Sequence, residues 1–359
     1  MALPDWLDLG RLMAGPELYP WQVNWAQQQV FLLSVTPEFY ATAPFLDQRA
    51  VPPQRQAGIP SAWVPLAEVA RAVAAQPAAA RLGLVFHVGH CGSTLLSQAL
   101  ALNARLFSLR EPLPLRDLSA QWQERHAPWS EVSADGLDAR IDLLRALWAR
   151  TPSSSQLAIV KASSFCCPLA GYWLKRYSND RAVLLAVSPE IHFASMVGVP
   201  AYIGDLKATA KQRMSALVDA GGADLPALHT LSAGEIAALA YISDLVSMHD
   251  AARLAGDRVL RQDFDAFLAA PGAALAALNA FFGAPLLDRQ LDTLLQDPLF
   301  SRYSKAGEFP FSAGERQARL REARSHHGAE IKRGRVWLDA FAARHATAAQ
   351  ALEWFDYRP

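Results

Sequence analysis

Cysteine is scarce. Three occur in 359 residues, Cys91, Cys166 and Cys167, and two of them are neighbours, which leaves no basis for a disulfide framework or a cysteine-built zinc site. A reducing compartment is therefore expected. The amino terminus agrees with a cytoplasmic location, because Asp5 and Asp8 precede any basic residue and no apolar stretch there suits a signal-peptide core. Net charge is also missing. The 34 Lys and Arg offset the 34 Asp and Glu, so no whole-chain field draws nucleic acid or anionic lipid, and any anion site must be local. One run, 267–287, lacks charge over nearly the length of a membrane span, but Pro271, Gly272, Asn279, Gly283 and Pro285 punctuate it and alanine dominates it. It reads as a buried helix with its boundaries. Neither a nucleic acid nor a membrane is an expected partner. With 52% hydrophobic and 19% charged residues, the chain has the apolar content to offset the entropy of folding.

Three stretches differ in texture. Residues 1–80 carry Trp6, Trp21, Trp25 and Trp63 among turn signals such as Val51-Pro52-Pro53, without a long period, and read as an irregular N-terminal extension packed on the core. Residues 81–287 alternate short apolar runs with helical patterns. Strands are expected at Leu84–Val88, Leu106–Leu109, Leu157–Val160, Ala182–Val187 and Val259–Leu260. Helices are expected at Leu95–Asn103, Arg140–Arg150, Gly234–Leu254 and Ala273–Phe282. This alternation predicts an α/β fold built on a doubly wound parallel sheet, with ligands at the carboxyl ends of its strands. Residues 288–359 read as a helical C-terminal part of the same domain, with helices over Ala313–Ser325 and Gly328–His345.

The chemistry gathers after the first strand of the core, at Gly89-His90-Cys91-Gly92-Ser93-Thr94, a small-residue turn leading into a helix. The first amides of a helix lack intrahelical acceptors and sit at the positive end of its dipole, so an anion is favoured there. Glycines admit close backbone approach, and two hydroxyls add donors. The competing reading is an ordinary strand-to-helix turn in which Ser93 or Thr94 merely caps the helix. The turn is P-loop-like without being a Walker A loop: Gly92 runs directly into Ser93, and the Lys that the nucleoside-triphosphate motif requires is absent.

This turn resembles the phosphosulfate-binding loop of the sulfotransferase superfamily, with His90, Cys91, Gly92, Ser93 and Thr94 at its positions. The resemblance extends in order through Arg110-Glu111-Pro112-Leu113, through Lys161 at a strand end, and through the run ending Ser188-Pro189-Glu190 with Ser195 beyond it. It reaches Asp263-Phe264 and Phe281-Phe282-Gly283-Ala284-Pro285, and so covers roughly residues 82–287. It implies 3′-phosphoadenosine 5′-phosphosulfate as co-substrate, no metal, and a small-molecule acceptor with a hydroxyl or amine. Two positions depart from the pattern: His90 stands for a Lys or Arg, and Ser188 for the Arg that holds the donor's 3′-phosphate. If the donor is the usual one, a cation must come from elsewhere, and Lys305 in Arg302-Tyr303-Ser304-Lys305 is the candidate.

The resemblance assigns Gly89, His90, Cys91, Gly92, Ser93, Thr94, Ser188, Ser195 and Lys305 to the donor and Glu111, His90 and Lys161 to catalysis. Glu111 is the expected general base, against the plainer reading of a pair with Arg110. Lys161 either meets the sulfonate or lies along the surface. A nucleotide-binding or interaction protein on the same fold, without transferase activity, is the alternative. Lys332-Arg333-Gly334-Arg335 reads as a solvated helix face, the adjacent His326 and His327 point apart, and Cys166-Cys167 reads as buried packing.

Overall fold

The computed structural model describes residues 4–49, 51–76, 81–222, 224–301 and 313–357. Its centre is a five-stranded sheet of β4 (Gly83–His87), β5 (Leu106–Arg110), β6 (Leu157–Lys161), β7 (Arg181–Ala186) and β8 (Val259–Asp263) in the order β5-β6-β4-β7-β8. Every neighbouring pair is parallel. Strands β4, β5 and β7 are almost entirely buried, as strands covered by helices on both faces must be, and this is why they read as unbroken apolar runs. The expected doubly wound sheet is present; four strands lie within one residue of their expected limits, and β8 runs three residues further.

Strand order places the site. After β4 the chain crosses to β5 on one side, and after β7 it crosses to β8 on the other, so a crevice opens beyond the carboxyl ends of these two central strands. The turn 88–92 lies there and feeds the helix Ser93–Ala101. Glu111, the end of β6 at Lys161, and Ser188 lie at the same edge of the sheet.

The N-terminal segment is not irregular. Three antiparallel strands, β1 (Leu18–Asn24), β2 (Gln29–Ser34) and β3 (Ser61–Pro65), form a second sheet, followed by the helix Leu66–Ala74. Two local features hid it. A register shift between Pro20 and Gln22 breaks the period of two in β1, and the hairpin turn contains neither Gly nor Pro, with Gln28 in the left-handed region at φ 54°. Two buried arginines fasten this sheet and its following loop to the core. Arg150 donates to the carbonyls of Leu12 (2.6 Å), Gly15 (3.1 Å) and Leu18 (2.9 Å), while Arg110 donates to those of Ala43 (2.8 Å) and Tyr40. Burial pulls both guanidinium groups down to about 10, and carbonyl acceptors are what makes such burial tolerable.

The two helices expected beyond residue 312 are present: the helical stretch Ala313–Arg344 parts in two at a kink at His327, where φ −122° and ψ 18° leave the helical region. It crosses Ala233–Ala255 at Gly234 and Gly334. A Cβ on Gly234 would stand 1.9 Å from the Glu330 carbonyl oxygen, so no larger residue fits this crossing. Cys166 and Cys167 are buried as expected, and Arg333 and Arg335 pair along their own helix face with Glu330 and Asp339. Among the described residues, no helix is long and apolar enough to cross a membrane, and no three metal-ligating side chains form a cluster. Lys305 and its neighbours lie outside the described residues.

Candidate active site

Backbone conformation sets the turn. His90 and Gly92 both take positive φ, 56° and 87°, which swings the chain off β4 and aims the first amides of the following helix into the crevice. Only glycine serves at 92. A Cβ there would meet the Phe264 ring at 2.1 Å in addition to the backbone strain. Gly92 is also the N-cap, and no side chain caps this helix. Ser93 and Thr94 are buried, and the Thr94 hydroxyl oxygen has no hydrogen-bond partner. The capping reading of these hydroxyls fails, and uncapped amides beside an orphaned hydroxyl are what an anion would satisfy.

Two cavities flank the turn. The larger, about 470 Å³, is bounded by Cys91, Gly92 and Ser195 on one side and by Arg316 and Arg319 of the kinked helix on the other. The smaller, about 350 Å³, is lined by Gly89, Ser93, Thr94, Glu111, Arg49 and Arg213 among others. His90 and Tyr202 line both, with ring centroids 3.8 Å apart, so the two rings stand where the cavities meet. Ser195 reaches the larger cavity while donating to the Ile191 carbonyl at 2.8 Å. Ser188 starts the helix Pro189–Val197 and lines neither cavity.

Glu111 is the electrostatic centre of the smaller cavity. It is 9% exposed, holds φ 54°, and accepts from Lys161 on one oxygen and from Arg49 (2.7 Å) on the other. Burial by itself would raise its pKa. Lys161 first, then Arg49 and His87, outweigh burial and hold the carboxyl well below the usual range. Glu111 is thus ionised and doubly paired, and the pair with Arg110 is not formed, since that guanidinium faces carbonyls of the N-terminal segment. Lys161 is not a surface lysine. It is 0% exposed, lies behind Glu111 and lines neither cavity. His87 ties β4 to the loop after β6, its ring nitrogens 2.7 Å and 2.8 Å from the Val88 and Ala162 carbonyls, while burial and then Lys161 pull its pKa down to about 4.

Arg49, Tyr202, Arg213, Arg316 and Arg319 were not among the residues expected at the site. Arg49 arrives on the loop after β2, beyond any motif. Arg316 and Arg319 are three apart on one helix, a spacing that marks a shared face but no chemistry.

No protein-family model matches this chain, and a search of curated proteins finds no match. Among solved structures, it is similar to the sulfotransferase domain from the curacin biosynthetic pathway, at 16% identity and TM-score 0.38, over 64% of this chain and 83% of that one. A sulfotransferase from Alicyclobacillus acidocaldarius matches at 12% identity and TM-score 0.36, over 79% and 97%. One from Mycobacterium avium matches at 12% and 0.39, over 71% and 79%.

Proposed function

We propose that this chain transfers a sulfuryl group from 3′-phosphoadenosine 5′-phosphosulfate to a hydroxyl or amine of a small-molecule acceptor. One observation carries the reading: two cavities meet at His90 on an uncapped, anion-ready turn. A group transfer between two bound molecules needs such a junction, and a plain nucleotide site does not. The turn amides, Ser93 and Thr94 take the phosphosulfate. The nucleoside lies in the larger cavity, where Ser195, Arg316 and Arg319 face the 3′-phosphate and make up for the Arg replaced by Ser188. Lys305 remains a further candidate cation for the same group.

The acceptor oxygen attacks sulfur from the smaller cavity. The new O–S bond forms as the S–O bond to the leaving nucleotide breaks, adenosine 3′,5′-bisphosphate departs, and the acceptor's proton passes to Glu111. Glu111 is a weak base while doubly paired. An acceptor hydroxyl that takes Arg49's place removes one cation and raises the basicity of the carboxylate, and a loose transition state asks little of the base. Lys161 acts as a positioning residue for Glu111, and His90 offers a donor at the crossing point.

Calorimetric titration with adenosine 3′,5′-bisphosphate and with adenosine 5′-phosphosulfate tests this. The bisphosphate should bind tighter, and Arg319→Ala and Lys305→Ala should each be compared for loss of that preference, with ~10-fold expected where a charged contact to the 3′-phosphate is removed. A protein that binds neither nucleotide is not a sulfotransferase. Binding without transfer to any acceptor would favour the nucleotide-binding alternative, in which the two cations on Glu111 are permanent.

A further inference from the structure

The smaller cavity contains more positive charge than sulfuryl transfer to a neutral alcohol requires. Arg49 is engaged by Asp47 and Glu111. Two other arginines line the same space from different helices: Arg116, on Leu113–Gln123, and Arg213, on Ala210–Asp219. Arg116 is exposed at the rim, and among the described residues no carboxylate pairs with it. Arg213 is 3% exposed, and its polar contacts are poor. Its Nε is 3.5 Å from Asp244 Oδ1, neither atom has a hydrogen-bond partner, and one terminal nitrogen is 3.5 Å from Ser164 Oγ, leaving a single close bond to Thr209. A buried guanidinium so loosely paired and lining a cavity has donors left for a further anion. Asp244 is a loose counter-ion at 3.5 Å: burial pushes its carboxyl up to about 7 against the opposing pull of Arg213.

Phe45, Phe165, Met196 and Leu206 also line this cavity and give it apolar surface for a carbon skeleton. Among the described residues, the carboxylates lining the cavity are Glu111, already paired, and Asp205, exposed. We infer that the acceptor is itself an anion, a hydroxyl compound carrying a carboxylate or similar group that Arg213 and Arg116 bind while its hydroxyl reaches Glu111. This rests on the smaller cavity being the acceptor site.

Paired probes test it: 4-hydroxyphenylacetate against 4-hydroxyphenylacetamide, and 3-hydroxybutyrate against 3-hydroxybutyramide, titrated into the full chain with and without saturating adenosine 3′,5′-bisphosphate. Within at least one pair the carboxylate should bind ~10-fold tighter or more, with nucleotide present as well as absent. Arg116→Gln, and the double change Arg213→Gln with Asp244→Asn, which removes both buried charges together, should each shrink that ratio and leave the amide's affinity within ~2-fold. Equal affinities in both pairs, a ratio untouched by both variants, or a preference abolished by the nucleotide would overturn the inference. The last outcome would mean that these arginines serve the donor's anion. Failure of the nucleotide to bind, with the carboxylate preference intact, would count against sulfuryl transfer alone.

Discussion

Glu111 and Asp244 are both buried carboxylates facing a cation in the same half of the molecule, yet their acidities move in opposite directions. Glu111 has two directed partners, Lys161 and Arg49, and stays ionised far below the usual range. Asp244 has one guanidinium, 3.5 Å away, with no good hydrogen bond, and is raised to about 7. Burial pushes both the same way. What reverses the sign at Glu111 is the number of cations and the quality of the bonds. The turn and Glu111 form a set site in which one charge is fixed. The Arg213 region is loosely paired, as a wall built to receive a ligand would be.

The largest expected effect breaks the fixed side of this contrast. Lys161→Met leaves Glu111 buried with Arg49 alone and should destabilise the fold by about 3–5 kcal/mol at neutral pH, measured by denaturant unfolding. A loss within about 1 kcal/mol would show that Arg49 and water suffice.

Next is the pH dependence of Asp244. Its folded pKa lies above the unfolded value, so the native state holds a proton that the unfolded state has lost across the window from about 4 to 7. Stability therefore falls as pH rises through that window, by on the order of 2–4 kcal/mol, and Asp244→Asn should flatten the profile there. Glu111 works with the opposite sign. Its folded pKa is depressed, so its contribution is present at neutral pH and disappears as pH falls below about 4. Should Asp244→Asn leave the slope between pH 4 and 7 intact, Asp244 is ionised and Arg213 is better paired than its geometry shows.

Glu111→Gln keeps the shape and removes the proton acceptor. Turnover with an identified acceptor should drop ~100-fold or more while adenosine 3′,5′-bisphosphate still binds. A change of only a few-fold would leave Glu111 as the partner of Lys161 and nothing more.

How much of this was readable from the sequence follows from chain distance. The turn, the five strands and Glu111 lie in or next to apolar runs whose period and flanks report on local structure, and all stand at the carboxyl edge of the sheet. The kink at His327 falls in the gap between the two helices expected there. The rest depends on contacts between residues far apart in sequence. Arg49 meets Glu111 across 62 positions, and nothing near Asp47 announces it. Asp244 falls inside the expected helix Gly234–Leu254 and Arg213 inside no expected element, and only the fold shows that both are buried. Lys161 looked like a strand-end lysine with room to reach; the packing of β6 between β4 and β5 turns it inward. The N-terminal sheet was lost to a bulge and an unmarked turn.

The smallest expected effect separates the two cations on Glu111. Arg49 is 49% exposed and shares its guanidinium with Asp47, over the Phe45 ring at 3.6 Å, whereas Lys161 is enclosed. A half-exposed ion pair is screened by water and salt, so Arg49→Gln should change stability by less than about 1 kcal/mol. Its effect on chemistry should be larger than its effect on folding. With one cation gone, Glu111 moves up toward the ordinary carboxylate range, and the acid limb of the kcat/KM profile should shift to higher pH while unfolding by denaturant barely moves. If acceptor binding already displaces Arg49 in the native protein, the profile of kcat should be less altered than that of kcat/KM, because the first reports the bound complex and the second the free enzyme. An unshifted kcat/KM profile would mean that Lys161 alone sets the acidity of Glu111 and that Arg49 serves only to hold the N-terminal segment over the cavity.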